Sequence, residues 1–204
     1  MKKWIDGLFA GILISIGGTV FLACDNKYCG AVLFAVALLC ICIKGYSLYT
    51  GKICYVAEKH DKEAFSVLLL GLLGNLVGTA VCGYAIRYAM PAIGDTAEKI
   101  CTAKLTQAFP GTLIRAIFCG ILIYLAVDIY KKGKGVVGIV FCIPVFILSG
   151  FEHSIADLFY FAASGIVSWE ACGFIWTVIL GNTIGGLLFP TLSECADRKQ
   201  NKKV

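Results

Sequence analysis

Polar residues fall in short clusters along this chain, and between them lie six apolar stretches: 4–24, 30–51, 64–86, 112–130, 135–163 and 171–192. A helix needs roughly 20 mostly apolar residues to cross the hydrocarbon core of a bilayer, and each stretch meets that length. The pattern predicts six α-helical spans joined mainly by short loops. A cleavable signal peptide is the rival reading of the first stretch, since Lys2 and Lys3 precede it. That run is too long for a signal core, and nothing after it resembles a soluble mature domain.

The stretches repeat. Gly74-Asn75-Leu76-Val77-Gly78 in the third has the same spacing as Gly181-Asn182-Thr183-Ile184-Gly185 in the sixth. Small residues four apart let helix backbones approach closely in lipid, and a buried Asn demands partners such as a broken backbone nearby. Three spans per half is an odd number, so the second half enters the membrane from the opposite side. This predicts an inverted 3+3 repeat, about 4–90 and 109–192, within one domain over 1–204. Both middle spans carry a polar, glycine-containing passage at corresponding places. One is Gly45-Tyr46-Ser47-Leu48-Tyr49-Thr50-Gly51 and the other Ser149-Gly150-Phe151-Glu152-His153-Ser154. Interrupted helices of this kind line cavities or are buried in protein. The longest loop, the third, has a helix of its own: Asp95-Thr96-Ala97-Glu98 matches a capping box, opening a helix that carries Lys99 and Lys104 before Pro110.

Composition agrees with lipid as the solvent: 59% of the 204 residues are hydrophobic and 15% charged, with a mean hydropathy of +0.84. Basic residues are unevenly placed. The amino terminus, the second and fourth loops and the tail hold twelve of the eighteen, and the opposite side holds Lys27, Arg87, Lys99 and Lys104. Positively charged flanks stay in the cytoplasm, so both termini are expected there, and the net charge of +5 reflects topology rather than nucleic-acid binding. The eleven cysteines sit at no metal-ligand spacing and read as small apolar fillers.

Ionisable groups inside spans are costly, about 2.5–3.5 kcal/mol on insertion scales, and the fifth stretch has three: Glu152, His153 and Asp157. His153 and Asp157, four apart, share one face if the helix is continuous, while Glu152 is expected to point toward backbone amides freed at the break. A buried structural network, a metal site and a proton-exchanging His in a conduction path compete for this cluster. No second His lies at helical spacing, since His60 is in a loop, so no metal is expected. Lys44 can snorkel to the interface, and Arg115 is expected to contact a backbone carbonyl.

Over nearly its whole length the chain resembles the formate/nitrite transporter family. The family's fifth-span Phe-Glu-His-Ser-Ile-Ala-Asn is similar to Phe151-Glu152-His153-Ser154-Ile155-Ala156-Asp157, and its second-span Leu-Phe-Thr-Gly to Leu48-Tyr49-Thr50-Gly51. The glycine–asparagine pentads resemble its third- and sixth-span motifs, and its Lys ahead of the fourth span, eleven residues before an Arg, aligns with Lys104 and Arg115. The chain departs from the family pattern at Ser47, Gly111, Gly120 and Asp157, the last two standing where the family has Asn.

The resemblance implies an aquaporin-like homopentamer with a pore in each protomer, in a bacterial cytoplasmic membrane. The permeants are small monovalent weak-acid anions such as formate, nitrite or hydrosulfide, together with protons, and no cofactor or enzymatic activity is implied. His153 would be the central proton relay, with Thr50, Asp157 and Glu152 around it. Lys104 would attract anions, Phe146 would form one constriction and Leu48 with Tyr49 the other, and Asn75 and Asn182 would hold the broken helices. An ionised Asp157 one turn from His153 would favour a charged imidazole and weaken the positive potential an anion meets. The departures also suit an alternative, a channel for a small neutral solute or for the neutral acid alone. A membrane-embedded enzyme lacks a cofactor motif and a nucleophile near His153, and a pure scaffold leaves the charges of the fifth span unexplained.

Overall fold

The computed structural model describes residues 1–59 and 61–201, without the side chains of 57–59 and 197–201. His60 and the tail lysines Lys202 and Lys203 lie outside the described residues. The described chain is helical throughout: α1 Lys2–Ala23, α2 Lys27–Lys44, α3 Tyr49–Lys59, α4 Lys62–Ala89, α5 Pro91–Leu105, α6 Phe109–Lys131, α7 Val137–Leu148, α8 Ser154–Ser164 and α9 Trp169–Asn201. Among these, α1, α2, α4, α6 and α9 are long and apolar enough to cross a membrane, and α7 is a shorter apolar helix. Polar caps start two of them: Asn26 Oδ1 accepts from the amides of Tyr28 and Cys29, and Asp61 accepts from Ala64 N–H. Each satisfies an amide that the first turn leaves without a partner.

The stretches 30–51 and 135–163 each fold as two helices, broken at the expected passages, and the two breaks are built alike. Helix α2 closes at Gly45 (φ +72°), whose N–H donates to Cys42 O while Tyr46 N–H donates to Ile41 O. Beyond α7, Gly150 (φ +68°) donates to Ile147 O and Phe151 to Phe146 O. Both are left-handed closures in which glycine meets no Cβ penalty. Three non-helical residues, 46–48 and 151–153, then lead into α3 and α8. One asparagine holds each link. Asn75 Oδ1 accepts from Tyr49 N–H (2.9 Å), and its Nδ2 donates to Ser47 O (3.0 Å) and Gly7 O (2.7 Å). Asn182 Oδ1 accepts from Ser154 N–H (2.9 Å), and its Nδ2 donates to Glu152 O (2.9 Å) and Ala116 O (2.8 Å). A carboxamide carries both donor and acceptor, which is what one amide and two carbonyls require.

Close helix packing brings those asparagines to the breaks. A Cβ at Gly11 would stand 2.6 Å from Asn75 O, and one at Gly74 2.3 Å from Trp4 O, so α1 and α4 touch backbone to backbone. Helices α6 and α9 meet the same way, with a Cβ at Gly185 placed 2.0 Å from Ile117 O and one at Gly120 2.4 Å from Asn182 O. Gly120 is thus a packing position against α9, where an asparagine side chain has no room, and not a lost amide of the pore.

The third-loop helix starts earlier than its supposed capping box. It opens at Pro91, whose fixed φ and missing N–H suit a first helical position. Asp95 falls in the second turn, and Thr96 Oγ1 donates back to Ala92 O at 3.0 Å. On the outside of the bundle, Phe65, Leu73 and Val81 of α4 and Trp176, Leu180 and Leu192 of α9 are exposed. Apolar faces of this extent belong against lipid or another apolar surface, and the chain is a membrane protein.

Candidate functional site

Each link between half-helices contributes to the wall of a cavity. The larger, about 480 Å³, has His153, Phe146, Lys104, Glu152, Asp157 and Phe21 in its wall. The smaller, about 110 Å³, is lined by Leu48, Gly51, Lys52, Tyr55, Val127 and Lys131, among others. Leu48 and His153 hold equivalent places, each the last extended residue before its second half-helix.

His153 is 2% exposed, and both ring nitrogens are engaged. Nδ1 accepts from Ala156 N–H (3.1 Å), which caps α8, and Nε2 lies 3.0 Å from Thr50 Oγ1. A backbone amide can only donate, so Nδ1 carries no proton; the neutral ring holds its proton on Nε2 and donates it to Thr50. Phe146 stacks on the imidazole, with ring centroids 5.6 Å apart and planes 23° apart. Since Thr50 is in the first turn of α3 and His153 caps α8, the amino-terminal ends of two half-helices converge here. Their dipoles supply positive potential without a fixed charge.

Lys104 reaches in from α5, its side chain 14% exposed. Its ammonium donates to Glu152 Oε2 in a close ion pair and lies 3.0 Å from Asp157 Oδ1. Glu152 Oε1 accepts from Gln107 Nε2 (2.9 Å), and Gln107 Oε1 accepts from Thr112 (3.1 Å). Burial alone would lower the Lys104 pKa, but Asp157 and Glu152 outweigh it and hold the pKa above the ordinary lysine value. Lys104 stays charged, with the carboxyl groups of Glu152 and Asp157 both against it.

Several expectations change with this geometry. Glu152 does not serve the freed amides, because Asn182 takes the backbone and leaves the carboxylate to Lys104 and Gln107. His153 and Asp157 are one turn apart, with Asp157 N–H donating to His153 O (2.9 Å), yet their side chains diverge. The helix is broken at His153, so the ring turns to Thr50 while the carboxylate turns to Lys104. Tyr49 lines neither cavity; its hydroxyl is hydrogen-bonded with Thr183 of α9 at 2.9 Å. Arg115 lines the Lys104 cavity instead of reaching a carbonyl. Gln107 and Lys131 went unrecognised in the sequence. Gln107 lies in the turn just after α5, where no helical spacing announces that it reaches Glu152. Lys131 has the sequence context of an ordinary flanking lysine, but its ammonium lies 3.0 Å from the centroid of the Tyr55 ring.

Among the described residues no three His, Cys, Asp or Glu side chains are placed to hold a metal ion. What the arrangement offers a small polar species is a cavity in which the buried neutral imidazole of His153 and the apolar face of Phe146 lie beside the Lys104–Glu152–Asp157 cluster.

A family model described as "Formate/nitrite transporter" matches residues 1–196. Among curated proteins, "Uncharacterized transporter YrhG" of Bacillus subtilis is 31% identical over 180 residues, covering 78% of this chain and 67% of that protein. "Nitrite transporter NirC" of Escherichia coli is 25% identical over 230 residues, covering 98% and 85%. Among solved structures, a "Pentameric formate channel with formate bound" superposes with a TM-score of 0.79 at 23% identity, over 97% of this chain and 96% of that one. An "FNT family ion channel" gives 0.78 at 24%, over 96% and 88%. With the breaks, the paired asparagines and the histidine in place, the family match over nearly the whole chain leads to one conclusion: this protein belongs to the formate/nitrite transporter family.

Proposed function

We propose that the chain is a channel for a small monovalent weak-acid anion, formate, nitrite or hydrosulfide, which crosses the narrowest part of the path as the neutral acid. The observation that carries this reading is His153, buried and uncharged in the wall of the larger cavity, with its one ring proton on Nε2. A bare anion entering an apolar passage meets a large desolvation penalty, and its conjugate acid does not. In this reading Phe146 and Leu48 flank the crossing, and Asn75 and Asn182 hold the half-helices whose dipoles draw the anion in. The imidazole relays a proton only by taking one at Nδ1 while releasing the one at Nε2. The pairs α2–α3 and α7–α8 then count as one span each, giving six spans of an inverted repeat in one channel domain, both termini cytoplasmic in a bacterial inner membrane. Five copies would associate through exposed apolar faces, the number found in the pentameric formate channel.

Uptake of labelled formate, nitrite and hydrosulfide into proteoliposomes at stepped external pH tests the proposal. Uptake above protein-free vesicles should rise toward acid pH, and His153→Asn should alter that dependence. No uptake of any of the three contradicts the reading.

A specific observation supports a second reading, a channel for a small neutral solute: Lys104 is held against the carboxyl groups of Glu152 and Asp157 and so offers an anion less than a free ammonium would. Swelling of the same vesicles in neutral solutes, with no anion uptake, would select it.

A further inference from the structure

A neutral imidazole whose Nδ1 is occupied and whose single proton is bonded to Thr50 has no excess proton to give, so a channel that neutralises anions needs a proton held elsewhere. The charges beside the larger cavity do not balance if all are ionised. One ammonium, Lys104, faces two carboxylates, Glu152 and Asp157, which are 2% and 1% exposed. The other ionisable neighbours are Cys101 on α5, Cys119 on α6 and Tyr160 on α8, none of which is cationic. The remaining charge at the cavity, Arg115, is exposed to solvent, where water and salt screen it. Two like charges so deeply buried around one counter-ion are relieved when one takes a proton.

The hydrogen bonds identify which one. Glu152 has a donor on each oxygen, Lys104 on one and Gln107 on the other. Asp157 has Lys104 on Oδ1, while Oδ2 is buried without a partner. Ser154 Oγ is the other buried side-chain oxygen of the described residues in that condition, and Ser154 lines neither cavity. The positive end of α8 favours a carboxylate at Asp157. Its amides at Ser154, Ala156 and Asp157 are, however, already taken by Asn182, the His153 ring and the His153 carbonyl.

We propose that Asp157 holds a proton on Oδ2 in the resting channel and gives it to the entering anion. The O–H bond at Oδ2 breaks as a new bond forms between that proton and the anion. The products are the neutral acid and an Asp157 carboxylate beside Lys104, so total charge is conserved. Solvent entering the cavity returns the proton. The neutral acid then passes His153 and uses its Nε2–H as a hydrogen-bond donor. The transport half of this inference rests on the weak-acid reading above; the stored proton does not.

Two measurements on the purified full-length protein in lipid test it. Infrared spectra across a pH titration should show the carbonyl stretch of a protonated carboxyl, absent in Asp157→Asn and retained, displaced, in Asp157→Glu. In proteoliposomes the pH of half-maximal formate uptake should shift in Asp157→Asn by about one unit or more, a tenfold change in the proton concentration required, and Asp157→Glu should restore a titrating step. If the band is absent in the unsubstituted protein, or present unchanged in Asp157→Asn, the stored proton is disproved. Uptake with the same pH profile in all three proteins overturns the donor role. If the band behaves as expected but no anion is taken up, the channel reading fails and the stored proton stands.

Discussion

In the proposed path His153 is useful because it is uncharged. Its Nδ1 caps a helix and its Nε2–H meets Thr50, so protonating Nδ1 means giving up the cap. Removing the partner on the other side tests this arrangement. Thr50→Val keeps the shape but leaves Nε2–H buried and unpaired, which should cost about 1–3 kcal/mol of stability in reversible denaturant unfolding from detergent micelles. Unchanged stability would mean that the Thr50 bond is not made. Lys104 behaves differently. Its pKa is held above the ordinary lysine value, so its pairing stabilises the fold fully below that ordinary value and is lost only as pH rises through the folded value. Any step in uptake between mildly acid and neutral pH therefore belongs to another group. The sequence displayed Glu152, His153 and Asp157 as misplaced charges, but not which pairs form. Lys104, from the end of α5, and Gln107, from the turn after it, lie far from Glu152 along the chain, and separation in sequence carries no sign of such contacts.

The breaks in the helices were legible because glycine and polar residues inside an apolar run leave backbone groups that something must satisfy. Asn75 and Asn182 were legible as that something for the same reason. What could not be read was the start of α5, where Pro91 outweighed a plausible capping box, or the place of Gly120, which depends on how closely α6 approaches α9. Both asparagines make the same three bonds. Asn75→Leu and Asn182→Leu should each orphan one amide and one link carbonyl, strip a helix carbonyl of its second bond, and lower stability by on the order of 3 kcal/mol, with similar losses on the two sides. A large loss at one site only would contradict the equivalence of the links. Gly120→Asn restores the residue type of the family pattern, yet a Cβ there lies 2.4 Å from Asn182 O. It should reduce the yield of folded protein on size-exclusion chromatography; a well-folded variant with improved anion uptake would show that the position faces the pore after all.

Across the bundle, two similar half-structures carry dissimilar linings. Where one link has Leu48, followed by Lys52 and faced by Lys131, the other has His153, followed by Asp157 and faced by Lys104. The smaller cavity offers ammonium groups, and the larger one offers a compensated, proton-holding cluster. An anion would thus meet a different environment at each end of the proposed path. The apolar periodicity of the chain announced the bundle, whereas this asymmetry emerges only once the half-helices are folded against each other. A permeant that crosses as a neutral acid carries one proton with every anion. Proteoliposomes loaded with a pH-reporting dye and given an inward formate gradient register that proton. The lumen should acidify faster than in protein-free vesicles, in step with labelled formate entry. Formate entry without acidification, or no protein-dependent entry at all, would contradict passage as the neutral acid.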